Sequence, residues 1–382
     1  MKVTGIICEY NPLHLGHKKQ FDWIRARHGK DSAIVCLMSG NFVQRGEPAI
    51  VDKMYRAEAA LRCGADLVLE LPVTVCLSSA EGFAAGGVKF LAPFCDDLCF
   101  GCETETPAQL MQIAKLLLSD AYRELLQKHL QTGVSFPAAR QAALAQLGAD
   151  DSIITQPNNI LAVEYCKAIL QENTKMQPMP ILRKGGYHDT VLDPSEPSAT
   201  ALRSAMLGST EYLPYIPQQA HTCFENAQLH ERSAGERAML AHLRRMTDAD
   251  FEALPYGAEG LWRKLMHAAR RESSVEGILQ SVKSKRYTYS RISRMVMCAF
   301  LGITEEILNA PAPYARVLAL NDTGRKILNT ARQYGCFPNV GEPQLHPYQA
   351  LENRCGDLYG LFAVDGAEPA GLEEKRRIIY IT

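Results

Sequence analysis

Short apolar runs alternate with amphipathic segments through the first half of the chain, and this alternation narrows the fold more than any other feature. Residues 2–8, 32–38, 66–71 and 97–100 are apolar runs of strand length. Between them the spacing predicts helices over 16–28, 53–63 and 79–91. Strand, helix, strand, helix implies parallel strands, because each helix carries the chain back to the same end of the sheet and covers one of its faces. Further helices are predicted over 107–129, 137–147 and 158–172, and a strand around 179–183 is expected to complete the sheet. After residue 207 the character changes. "STEYLPYIPQQA" (209–220) reads as a linker, and helical patterns follow over 220–243, 249–254, 261–269, 275–281 and 290–301. A shorter mixed segment runs from 315–318 through 326–335. The expected organisation is α/β: a Rossmann-like parallel-sheet domain over 1–207, then a mainly helical domain over 208–382.

The bulk numbers exclude several classes. With 382 residues, 47% of them hydrophobic, the chain can bury more than one core. A net charge of -1 excludes a polycation, so any nucleic-acid surface has to come from local clustering of charge. The N-terminus "MKVTGIICEYNP" reads as neither a signal peptide nor a membrane span, and the 12 cysteines read as reduced thiols of a cytoplasmic protein.

The first strand stops at "EYNP" and continues as "LHLGH". Open α/β sheets bind ligands at the carboxyl ends of their strands. Gly16 carries no side chain where the next helix starts, so a phosphate can approach the backbone, and the helix N-terminus supplies N–H groups and positive dipole. His14 and His17 add two further donors. Donors aimed at charge that builds on phosphates during nucleotidyl transfer lower the barrier without becoming covalent. The same pair also suits a helix cap, or a metal site that would need a third ligand.

HxGH after a first strand resembles the nucleotidyltransferase superfamily that includes class I aminoacyl-tRNA synthetases. The second signature of that group, ISSTxIR at the start of a late helix, is similar to "PSATALRSAM", with Ser198, Thr200 and Arg203 in matching places and Pro197 where Ile is usual. "CEYNPLHLGH", "SGNFVQRGEPAIVDK", "RCGADLVLELP", "CFGCETE", "QPNNILAVEY" and "RKGGYHD" together resemble the bacterial tRNA(Met) cytidine acetate ligases. The likeness continues through "RYTYSRISRMVMCAFLGI" and "YARVLALNDTGRKIL" and so covers most of the chain.

The resemblance implies an enzyme that activates acetate with ATP and magnesium to acetyl-adenylate, without acetyl-CoA. It then transfers the acetyl group to N4 of the wobble cytidine of elongator tRNA(Met). It implies that the turn from Ile7 to Gln20 binds ATP: Ile7, Cys8, Glu9, Tyr10, Asn11, Pro12, Leu13, Gly16, Lys18, Lys19 and Gln20, with His14 and His17 on the phosphates. Ser198 or Thr200 is expected to cap the late helix beside the phosphates, with Arg203 near them. Gly101, Asn158 (rather than Asn159) and Arg183 complete the expected ATP site. Arg45, in a loop with Gly40, Gly46 and Pro48, is a second-rank candidate that enters as the loop closes. Cys99 and Cys102 form C-x-x-C near Cys95, but two thiols do not close a tetrahedral metal site, so both read as incidental.

Residues 261–294 hold nine Lys or Arg against Glu272 and Glu276. Within "KSKRYTYSRISR", Lys283, Lys285, Arg286, Arg291 and Arg294 interleave with Tyr287 and Tyr289. Cations neutralise phosphates and tyrosines stack on unpaired bases, as an anticodon loop requires. A small-molecule adenylyltransferase would share both phosphate motifs but needs no such basic half. A non-catalytic RNA-binding protein would not need "HLGH" and "SATALR" intact.

Overall fold

The computed structural model describes the whole chain except residues 104–105, 183–196, 209, 226 and 345, and side chains 137, 151, 152 and 157. Its strands are β1 (Val3–Cys8), β2 (Ala33–Ser39), β3 (Phe42–Val43), β4 (Glu47–Pro48), β5 (Leu67–Leu71), β6 (Asp97–Cys102), β7 (Gln177–Leu182), β8 (Arg316–Leu320) and β9 (Ile379–Tyr380). Seven of them form one sheet in the order β7-β6-β1-β2-β5-β8-β9, and β3 and β4 form a separate hairpin. Strands β7, β6, β1, β2 and β5 are mutually parallel. Every residue of β2 and β5 is buried, as expected of central parallel strands covered on both faces. The chain runs outward from β1 to β2 and β5, then returns across β1 to add β6 and β7. That reversal opens a crevice at the carboxyl ends of β1 and β6.

The sheet is not completed by β7. The second half of the chain returns to it: β8 pairs antiparallel with β5, and β9 pairs parallel with β8. The otherwise open edge of β5 is covered in this way. Two predicted helices also divide. Ser119 ends Pro107–Leu118 and caps Asp120–Gln131 by accepting the Tyr122 N–H at 3.2 Å, which splits 107–129. The predicted 220–243 becomes the short His221–Phe224 and, later, Glu236–Arg245. Between them Leu229 bridges to Val51 and His230 to Ala363, and residues 232–235 form a turn.

The later helices Glu236–Arg245, Leu261–Arg271, Val275–Val282, Tyr289–Leu301 and Tyr348–Tyr359 pack around their own apolar core, into which Phe42 and Leu77 of the first half insert. A buried ionic network joins the same two parts. Lys53 donates to Glu70 at 2.8 Å, Arg316 bonds Glu70 at 2.7 Å and Glu352 at 3.2 Å, and Arg376 bonds Asp52 at 2.6 Å. Glu373 contacts Lys53, Arg316 and Arg376. Among the described residues no helix is long and apolar enough to cross a membrane.

Candidate active site

A cleft of about 1370 Å³ opens over the carboxyl ends of β1 and β6, where the sheet topology makes its crevice. The turn after β1 is built by its own side chains. Tyr10 has a positive φ of 46°, and its buried ring meets the His17 ring edge-on at 4.8 Å. The Asn11 side chain accepts the Ile50 N–H at 2.7 Å. Arg56, fully buried, donates to the carbonyls of Glu9 (2.7 Å), Ser39 (3.0 Å), Gly40 (2.5 Å) and Val51 (2.8 Å). These carbonyls are thereby satisfied and the corner is held from beneath. Burial lowers the Arg56 pKa from its ordinary value.

His14 caps the Leu15–His28 helix. Its Nδ1 accepts the Gly16 N–H at 3.1 Å, and His17 Nδ1 accepts the His14 N–H at 3.2 Å. The two rings stack with centroids 3.8 Å apart. Both Nδ1 atoms are acceptors, so in the neutral rings the proton sits on Nε2. The backbone amides of Gly16, His17 and Lys18 are all taken up by His14. These three amides, expected to be free, are thus occupied within the turn, and the His14 and His17 imidazoles line the cleft. Gly16 also leaves room for the cap, since a Cβ there would stand 3.0 Å from His14 Cε1.

The second signature meets the first. Ser198, not Thr200, is the cap of Ala199–Leu207, accepting the Ala201 N–H at 3.0 Å. Arg203 donates to the Asn11 carbonyl at 2.8 Å and to Thr200 Oγ1 at 3.1 Å. All of Ser198, Thr200 and Arg203 line the cleft.

Of the other expected residues, Ile7, Cys8, Glu9, Tyr10, Asn11, Gly16, Lys19, Gln20, Gly101 and Asn158 also line the cleft. Leu13 is instead fully buried in the core, Lys18 pairs with Asp22, and Pro12 and Lys18 do not line the cleft. Asn158 donates to Glu103 at 2.6 Å, whereas Asn159 is buried and its side-chain oxygen accepts the Glu103 N–H at 2.9 Å. Arg183, with all of "RKGGYHD", lies outside the described residues. Burial pushes the Cys8 thiol well above its ordinary pKa, which argues against a nucleophile. Burial likewise pushes Cys99 up to about 12. Cys99 and Cys102, an odd number of residues apart on β6, pack into different cores on opposite faces of the sheet and cannot share one ion.

The loop carrying Arg45 is a hairpin clamped on the Tyr289–Leu301 helix. Ser293 donates to the Gly46 carbonyl at 3.1 Å. Arg45 is exposed and lines the cleft. The basic segment is divided. Lys283, Lys285 and Arg286 are exposed, while Tyr287 is only 3% exposed and is ringed by Lys264, Arg286 and Arg291. Tyr287 is thus corrected from a stacking platform to the support beneath a cationic surface. Arg291 donates to the Tyr256 carbonyl at 2.8 Å, and Arg294 is buried over the Tyr256 ring.

Sequence reasoning missed Arg56, Glu47 and Arg232. Arg232 pairs with Glu47 at 2.5 Å on the cleft wall. It sits in the turn 232–235, where the predicted helix is interrupted ahead of Glu236–Arg245.

Topology, switch-point cleft and the paired-imidazole turn define the class: a nucleotidyl transferase, and the HIGH Nucleotidyl Transferase family model matches residues 1–366. Relatives narrow this further. The tRNA(Met) cytidine acetate ligase of Clostridium novyi is 37% identical over 88% of this chain and 89% of its own. That of Acetivibrio thermocellus is 34% identical over 100% of both. The crystal structure of Thermotoga maritima TmcAL, apo, superposes with a TM-score of 0.91 at 30% identity over 100% of both chains. A second form, bound with alpha-thio ATP, gives 0.87 at 29% identity, again over 100% of both chains. The chain belongs to the tRNA(Met) cytidine acetate ligase family.

Proposed function

We propose that this cleft adenylates acetate and then acetylates N4 of the wobble cytidine of elongator tRNA(Met). The observation that carries the reading is the junction of the two signatures, where Arg203 bonds both the Asn11 carbonyl and Thr200 beside the stacked His14 and His17. The names of the relatives and the alpha-thio ATP bound by one neighbour support the choice of substrates.

ATP, entering with its magnesium, lies along the turn, with its base toward Gly101 and Asn158 and its phosphates toward the imidazoles. An acetate oxygen attacks the α-phosphate, and pyrophosphate leaves. The Nε2–H groups of His14 and His17 donate to the phosphate oxygens on which charge builds, and Arg203 and the Ser198-capped helix face the leaving group. The wobble amine then attacks the acyl carbonyl, and AMP leaves. A cytidine amine is a weak nucleophile, so holding it against the anhydride carries much of the rate. The exposed Lys283, Lys285 and Arg286 meet the tRNA backbone. By the same reading residues 1–207 bind ATP, and residues 208–382, which also give the sheet β8 and β9, bind tRNA.

The test of the first half-reaction is exchange of labelled pyrophosphate into ATP. Exchange should require acetate and should fall about 10²–10³-fold in His14→Ala. Exchange that proceeds equally well without acetate contradicts the reading.

A further inference from the structure

The cleft is larger than one nucleotide needs, since ordinary small-ligand pockets span roughly 300–1,000 Å³ and this one is about 1370 Å³. Its lining carries a polar cluster that the ATP reading leaves unused. Arg232 pairs with Glu47 at 2.5 Å, and its other terminal nitrogen is held by Glu276 at 2.9 Å and by Tyr289 Oη at 3.0 Å. Tyr289 in turn donates to Glu276 at 2.6 Å. Ser293 lies 3.5 Å from the Glu47 carboxylate.

Resting on the function proposed above, we infer that the Glu47–Arg232 pair is the docking site of the acceptor cytosine, and that Glu47 takes the proton its amine sheds. The Watson–Crick edge of cytosine presents a donor, N4–H, and two acceptors, N3 and O2. A carboxylate beside a guanidinium presents the complement, an acceptor followed by donors. The contacts that hold Arg232 use three of the five N–H groups a guanidinium carries, one of them on Nη1, so a second Nη1–H beside Glu47 is left to donate to N3 of the base.

Three further observations agree. Glu47 is the first residue of β4, and the hairpin is seated against the Tyr289–Leu301 helix, so the carboxylate has a fixed position. Arg203 of the phosphate signature lines the same cleft as Glu47 and Arg232. Burial raises the Glu47 pKa from its ordinary value, against the pull of Arg232 and Arg203, and a stronger base accepts a proton more readily.

The step balances. The N4 lone pair forms the C–N bond to the acetyl carbon. The bond from that carbon to the adenylate oxygen breaks, and its electrons leave with AMP. One N4 proton passes to Glu47 and from there to solvent.

An ion pair that merely staples the hairpin in place would read differently from a base site in two measurements that do not depend on the fraction of active protein. The first is the single-turnover rate constant for transfer of labelled acetyl to a tRNA(Met) transcript, with excess enzyme, acetate and ATP. In Glu47→Gln it should fall about 10²-fold or more. The second is the ratio of affinities for transcripts carrying wobble cytidine and wobble uridine. A Gln amide can donate to the uridine O4, so in Glu47→Gln the ratio should move toward one. A rate constant within threefold of the native protein, together with an unchanged ratio, overturns the inference while leaving the function intact. Native protein that never labels the transcript overturns both.

Discussion

Position 16 separates the chemistry of the turn from its stability. A Cβ on Gly16 would stand 3.0 Å from His14 Cε1 and 3.1 Å from Nδ1, so the imidazole has to shift by a few tenths of an ångström. Alanine is favoured over glycine inside a helix by roughly 0.5–1 kcal/mol. Gly16→Ala should therefore unfold at an unchanged or higher denaturant midpoint, yet lose about 10-fold or more in acetate-dependent pyrophosphate exchange. His17→Asn makes a complementary split. An Asn oxygen can still accept the His14 N–H and keep the capping box, but the Nε2–H is gone. Stability within about 1 kcal/mol of the native protein, with exchange down about 10²-fold or more, is the expected pair of results. Exchange at the native rate in His17→Asn would remove the imidazole from the mechanism.

At the scale of elements, the β3–β4 hairpin shows how one glycine can fix a wall of the cleft. Gly46 has φ of 74°, and a Cβ there would lie 2.5 Å from the Arg294 backbone nitrogen. Backbone cannot yield as a flexible side chain does, so Gly46→Ala should cost about 2 kcal/mol or more in urea unfolding. The early strands and helices were legible because each is a full apolar or amphipathic run ended by a clear breaker. The break at Ser119 had a signal, since Ser-Asp before an amphipathic run is an N-cap pattern. The stretch after His221–Phe224 had none, because its bridges to Val51 and Ala363 are made with distant chain. Strand β8 is five buried residues, too short for periodicity to assign, and only the open edge of β5 decides its state. The HxGH turn and the second signature were readable as two walls of one cleft. The Glu47–Arg232 pair was not, because it joins residues 185 apart in sequence.

For the whole molecule, the buried ionic network couples the two parts of the chain, and its weak point is Glu352. Burial raises its pKa from 4.5 to about 7, although Arg316 pulls the other way. Between those values the folded state keeps a proton that the unfolded chain has released, so this group makes stability fall as pH rises through the interval and stay lower above it. Glu352→Gln removes that titration. The melting temperature of the variant relative to the native protein should rise between pH 5 and pH 7.5, by roughly 2 °C or more. A flat difference would show that Glu352 is ionised throughout. The central claim concerns the joint work of both parts, and one measurement addresses it directly: incubate the protein with labelled acetate, ATP, magnesium and total bacterial tRNA, then digest the tRNA and identify the labelled nucleoside. The account predicts label in N4-acetylcytidine, dependent on ATP and absent in His14→Ala. Label confined to a small molecule, with none in the tRNA, would contradict it.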